Sequence, residues 1–106
     1  MIFHITEQAA WQTAQAEGAY QPPSLASEGF IHFSTDAQVV ATANRFYQGK
    51  TGLVLLTVDP SRLKPELRYE DTLNHGTFPH LYGPLNVDAV VDVRTFEPGA
   101  DGTFSM

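Results

Sequence analysis

The chain has 106 residues and a mass of 11.7 kDa, the size of one small domain. Six Lys and Arg stand against twelve Asp and Glu, a formal net charge of −6; the basic residues are scattered, which excludes the basic stripe of a nucleic-acid binder. Cysteine is absent, which excludes disulfide scaffolds, thiolate metal sites and cysteine nucleophiles.

Residues 2–5, Ile-Phe-His-Ile, read as a first strand. Thr6 is placed to cap a helix over 7–17, with Ala10, Trp11 and Ala14 at helical spacing and Gly18 as its end. Gln21-Pro22-Pro23-Ser24 reads as a stiff loop, because proline fixes φ and lacks a donor. Phe30 to Phe33 predict a second strand. Ser34 and Thr35 then cap a helix over 36–48, with Val39, Val40, Ala43, Phe46 and Tyr47 as its apolar stripe. Leu53 to Asp59 predict a buried strand, Asp59-Pro60-Ser61 a turn, and 67–70 a short strand. Residues 74–84 hold two Gly and two Pro and are expected to be largely loop. Val87 to Phe96 predict a long last strand, and residues 98–106 a frayed tail. The expected class is α+β, a single domain over 1–106 with two helices on a curved or split, mainly antiparallel sheet.

Three segments set reactive groups beside apolar strand residues. His4 points away from the face shared by Phe3 and Ile5; a solvated histidine and a functional one fit this pattern equally. In Gly29-Phe30-Ile31-His32-Phe33-Ser34, alternation sends Ile31 and Phe33 to the core and puts Phe30, His32 and Ser34 on the other face. That face can wall a ligand, although Ser34 is explained better as a helix cap. In Phe78-Pro79-His80-Leu81-Tyr82-Gly83-Pro84, His80 and Tyr82 are two apart and point the same way in extended chain. Glu70 shares a strand face with Arg68, which is expected to hold it ionised; an ordinary exposed ion pair is the plainer reading. His4, His32, His75 and His80 lack the helical spacing of a zinc site, so no metal is expected.

The segments 29–34 and 78–85, with His4, Ala43-Asn44-Arg45-Phe46-Tyr47 and Arg68-Tyr69-Glu70, resemble the uncharacterised bacterial family DUF952 over essentially the whole chain. That resemblance implies an ADP-ribosyltransferase-like fold, a split antiparallel sheet around a cleft for NAD. By position, His4 resembles the histidine that grips a ribose in such enzymes. His32 and Ser34 occupy the region near nicotinamide, where a Tyr is more usual. Glu70 resembles the acid beside the reacting ribose, a role that His80 or Tyr82 can also fill.

The function expected is therefore an enzyme acting on NAD or a related nucleotide. Glu70, His80 and Tyr82 are its catalytic candidates, and His4, Phe30, His32 and Ser34 its ligand-binding candidates. A non-catalytic binding module on the same fold is one rival. A small hydrolase or isomerase with a histidine general base is another. The partner expected is a small molecule, with no nucleic acid and no membrane, and the number of subunits stays open. The first residues carry no basic and apolar leader pattern, so the expected compartment is the cytoplasm.

Overall fold

The computed structural model describes residues 1–72 and 75–106. Its elements run β1 (Ile2–Glu7), α1 (Gln8–Glu17), β2 (Ala19–Tyr20), α2 (Pro23–Glu28), β3 (Ile31–His32), α3 (Val39–Phe46), β4 (Leu53–Val58), β5 (Glu66–Thr72), β6 (Gly76–Tyr82), β7 (Leu85–Asn86) and β8 (Val90–Phe96). The class is α+β, with antiparallel pairing in three sheets, β1-β4-β8, β2-β7 and β3-β6-β5. A bridge between Phe3 and Ser34 joins the first sheet to the third. No helix among the described residues is long and apolar enough to cross a membrane.

β4 is the centre of the molecule, and its sequence explains why. Leu53-Val54-Leu55-Leu56 is apolar at every position, so both faces of the strand can be buried. Leu53 and Leu55 pack with Ile5, Val39, Ala43, Phe96 and Phe104. Val54, Leu56 and Val58 pack on the opposite side with Ile2, Trp11, Tyr20, Ile31, Leu81 and Leu85. The second layer seats the β3-β6-β5 sheet against the first.

Several expectations are corrected. Among the described residues there are three α-helices, not two: Pro23 opens α2 at its first position, where a missing N–H loses no helical bond. β1 continues to Glu7, so Thr6 is a buried strand residue and no side chain caps α1. α3 starts at Val39, because the Thr35 carbonyl accepts from Gln38 and Val39 across a turn. Its side-chain partner is Gln38, which accepts from the Thr35 N–H at 3.0 Å, and neither Ser34 nor Thr35 caps the helix. Of its apolar stripe, Val39 and Ala43 are buried while Phe46 is exposed. The last strand begins at Val90, after a tight turn over Val87–Ala89.

The largest correction concerns 74–84. Residue 74 lies outside the described residues, but Gly76–Tyr82 is a strand, central in its sheet. Pro79 sits inside it without harm. Phe33 N–H donates to the Pro79 carbonyl at 3.0 Å, and Pro79 has no N–H to return. The short β3 ends at His32, so no ladder bond is demanded of that nitrogen. The tail is corrected too: Phe104 is buried, and residues 99–103 close a hydrogen-bonded turn.

Gly83 follows β6 at φ 157°, and a Cβ there would lie 2.7 Å from Pro65 Cβ. Gly83→Ala is expected to lose about 1–3 kcal/mol of stability through overpacking. Gly99→Ala, whose Cβ would meet its nearest atom at an ordinary 3.5 Å, should change stability by under ~0.5 kcal/mol. Urea denaturation of both decides; equal losses would remove the steric explanation.

Candidate functional site

The β3-β6-β5 sheet is two-faced because its strands alternate. Ile31, Leu81 and Pro79 turn inward and are fully buried. The register sets His32 beside His80, and His80 beside Arg68. It also sets Tyr82 beside Glu66, and Phe78 beside Glu70. One face therefore carries aromatic, imidazole and carboxylate groups from three strands. Gly29, at φ 87°, ends α2 and turns the chain into β3, bringing Phe30 onto the same face.

Glu70 is the hub. The Tyr82 hydroxyl donates to its Oε1 at 2.5 Å, and His80 Nδ1 lies 2.9 Å from the same oxygen. First the Tyr82 bond and then the His80 bond hold the Glu70 carboxyl below the usual carboxylate range. Reciprocally, the bond to Glu70 pushes the Tyr82 phenol up. An ionised carboxylate only accepts, so His80 Nδ1 carries a proton, and in the neutral tautomer that keeps this bond the lone pair is at Nε2. That Nε2 is buried and has no hydrogen-bond partner among the described residues. The Phe30 ring stacks on the face of the His80 imidazole, with centroids 4.1 Å apart and planes at 22°. Phe30 also lies 4.8 Å from the His32 ring and 5.3 Å from the Tyr82 ring.

Arg68 forms no ion pair with Glu70, but its charge still adds to the lowering of the Glu70 carboxyl, behind the Tyr82 and His80 bonds. Two donors draw the Glu70 carboxylate toward β6, and Arg68 instead takes Glu66 through bonds of 2.8 and 3.2 Å. Its guanidinium sits 4.6 Å from the Tyr82 ring centre. On the other flank, exposed His32 pairs with Glu28 at 2.5 Å. Both partners are about half exposed, so the pair adds little stability.

Five candidates thus meet on one face: Phe30, His32, Glu70, His80 and Tyr82. Two do not join it. His4 donates from Nδ1 to the His32 carbonyl at 2.6 Å, and its Nε2 lies 2.8 Å from the Tyr20 hydroxyl. Tyr20 is in turn bonded to Thr6 at 2.9 Å. Burial pushes the His4 imidazole down to about 4 and the Tyr20 phenol up to about 12. His4 is a neutral internal tie whose ring nitrogens are both engaged. Ser34 leaves the shared face because the chain crosses there to β1; its hydroxyl donates to Thr42 at 3.2 Å.

Sequence reasoning missed Glu28, whose four-residue spacing from His32 was the available signal. It also missed Glu66, for which the i, i+2 spacing to Arg68 was the signal. Among the described residues no three His, Asp or Glu side chains converge as a metal site. The face is acidic in balance: Glu28, Glu66 and Glu70 are set against Arg68 and the titratable His32.

A family model described as "Protein of unknown function (DUF952)" matches residues 5–93. The chain is also similar to protein CC0527 from Caulobacter crescentus. Against its crystal structure the TM-score is 0.90 at 34% identity, covering 98% of this chain and 92% of that one. Against its solution NMR structure the TM-score is 0.86 at 34% identity, covering 98% and 90%. No curated protein matches the chain.

Proposed function

The chain belongs to the DUF952 family of proteins of unknown function, and from that premise we propose that it is an ADP-ribosyltransferase-like protein acting on the N-ribosyl bond of NAD or a related nucleotide. One observation carries this reading. Glu70 is kept ionised by two donors on Oε1, which leaves Oε2 available beside a cluster of aromatic rings.

Cleaving nicotinamide from NAD breaks the C–N bond to ribose. The electron pair leaves with nicotinamide and positive charge builds on the ribose carbon. A fixed carboxylate stabilises that charge, as in glycoside cleavage. The acceptor, water or a second substrate, then supplies a nucleophile and loses a proton. Tyr82 and His80 act on Glu70 as positioning residues, since each spends a donor on its carboxylate. Phe30 offers a flat apolar surface to a planar ring. The acidic balance of the face favours the cationic nicotinamide riboside end over the pyrophosphate.

Calorimetry with NAD, nicotinamide riboside and ADP-ribose, paired with a nicotinamide-release assay, tests the reading. Nicotinamide riboside and NAD should bind better than ADP-ribose. Glu70→Gln should abolish release and weaken binding about tenfold, the loss of ~1.4 kcal/mol of charge interaction. No binding of any of the three by the unmodified protein would end the proposal, and binding without release would reduce it to a binding module.

A second reading rests on His80. An imidazole oriented by a carboxylate, with its lone pair kept from other partners, suits a general base in a hydrolase or isomerase. In that case His80→Gln removes turnover of a substrate that has no N-ribosyl bond.

A further inference from the structure

The β1-β4-β8 sheet ends at β8, and no strand pairs beyond it among the described residues. Residues 91–95 are exposed, so alternate N–H and C=O groups face outward without a ladder partner. One face of this edge is apolar: Val91 is 44% and Val93 40% exposed, beside a shallow groove that reaches Trp11 and Val87. The other face is charged. Asp92 and Arg94 pair at 3.1 Å, with side chains 47% and 68% exposed.

This pattern is self-complementary. When two copies of β8 pair antiparallel about a two-fold axis at Val93, each Asp92 lies opposite Arg94 of the other copy, and Val93 meets Val93. Moving the axis to Asp92 or to Arg94 sets like charges face to face. A half-step register would oppose residues from different faces. The irregularity in the β4-β8 pairing falls before Asp92, and the ladder from Asp92 to Phe96 is regular. We propose that β8 is the contact edge of a homodimer, its occupant a second copy of this chain, which joins two three-stranded sheets into one of six strands.

Sedimentation equilibrium of the full chain, from micromolar to millimolar, tests this. The unmodified protein should dimerise. Asp92→Arg alone and Arg94→Asp alone should each raise the dissociation constant at least about tenfold. The double variant Asp92→Arg/Arg94→Asp should restore dimerisation. An equimolar mixture of the two single variants should form a heterodimer, which would also show that both are folded. An unmodified protein that stays monomeric at millimolar concentration overturns the proposal, and so does a dimer indifferent to the charge reversals.

Discussion

Phe104→Ala is expected to destabilise the protein by about 3–5 kcal/mol, the range for truncating a buried phenylalanine. That is a large share of the roughly 5–15 kcal/mol that holds a small domain folded. Phe104 is 3% exposed and stacks on Phe96 at 4.9 Å. It seals the layer formed by Ile5, Val39, Ala43, Leu53 and Leu55. Its backbone is held as firmly as its ring. Asn44 Oδ1 accepts from the Phe104 N–H at 2.7 Å, and Asn44 Nδ2 donates to its carbonyl at 3.2 Å. Asp101 bonds the backbone and hydroxyl of Thr103 and rigidifies the approach. Urea denaturation gives the loss directly. A combined Phe104→Ala/Asn44→Ala variant should lose less than the sum of the two single changes, because both act through one docked segment. Removing Ser105 and Met106, both exposed, should leave stability unchanged. A loss below ~1 kcal/mol for Phe104→Ala would mean that the tail is not docked.

Lowering the pH from 6.5 to 4 is expected to remove about 3 kcal/mol of stability through His4 alone. Burial lowers its folded value to about 4 from the ordinary 6.5. Across that window the unfolded chain binds a proton that the folded protein refuses, so acid favours unfolding. The contribution is complete above pH 6.5, falls as the pH drops, and is gone once the pH passes below the folded value. Melting curves at closely spaced pH values measure the slope. In His4→Asn the amide can still donate toward the His32 carbonyl but does not titrate, so its curve should be flatter between pH 6.5 and 4. Glu70, Glu66 and Asp59 have carboxyls held below their usual range. Their losses fall at lower pH and are shared by both proteins. Parallel curves for the two proteins would refute the role given to His4.

The site and the pH response share one structural connection. The carbonyl that accepts from His4 belongs to His32, whose ring faces the Phe30, His80 and Glu70 cluster. β1 and the edge of the site are therefore tied by this bond in addition to the Phe3–Ser34 bridge. The tie positions β3, while the chemistry proposed for Glu70 depends on donors from β6.

Period-two alternation made much of the site's face legible. His80 with Tyr82, Phe30 with His32, and Arg68 with Glu70 are pairs two residues apart, and a strand must turn such pairs the same way. The central strand at Leu53–Val58 was equally legible, because an unbroken apolar run has no face to give to water. Glycine at the end of α1 was readable for the same local reason, a left-handed turn that other residues resist.

Local rules failed where pairing decided. Pro79 looked like a loop residue because the strand tolerates it only through the early end of β3, a fact about a neighbour. Phe104 looked like tail because its partners Phe96 and Asn44 lie on other elements. Arg68 pairs with Glu66 while Tyr82 and His80 from the neighbouring strand take Glu70, a division that follows from strand pairing. His4 and Tyr20, sixteen residues apart, meet only after β1 and β2 pack together. The amino-acid order by itself determined which side chains share a strand face and which stretches must be buried, since both follow from backbone geometry and the cost of wetting apolar groups. Which strands lie side by side, and therefore which carboxylate meets which donor, was decided by the tertiary structure, because register is set by packing across the whole core rather than by any local stretch of chain.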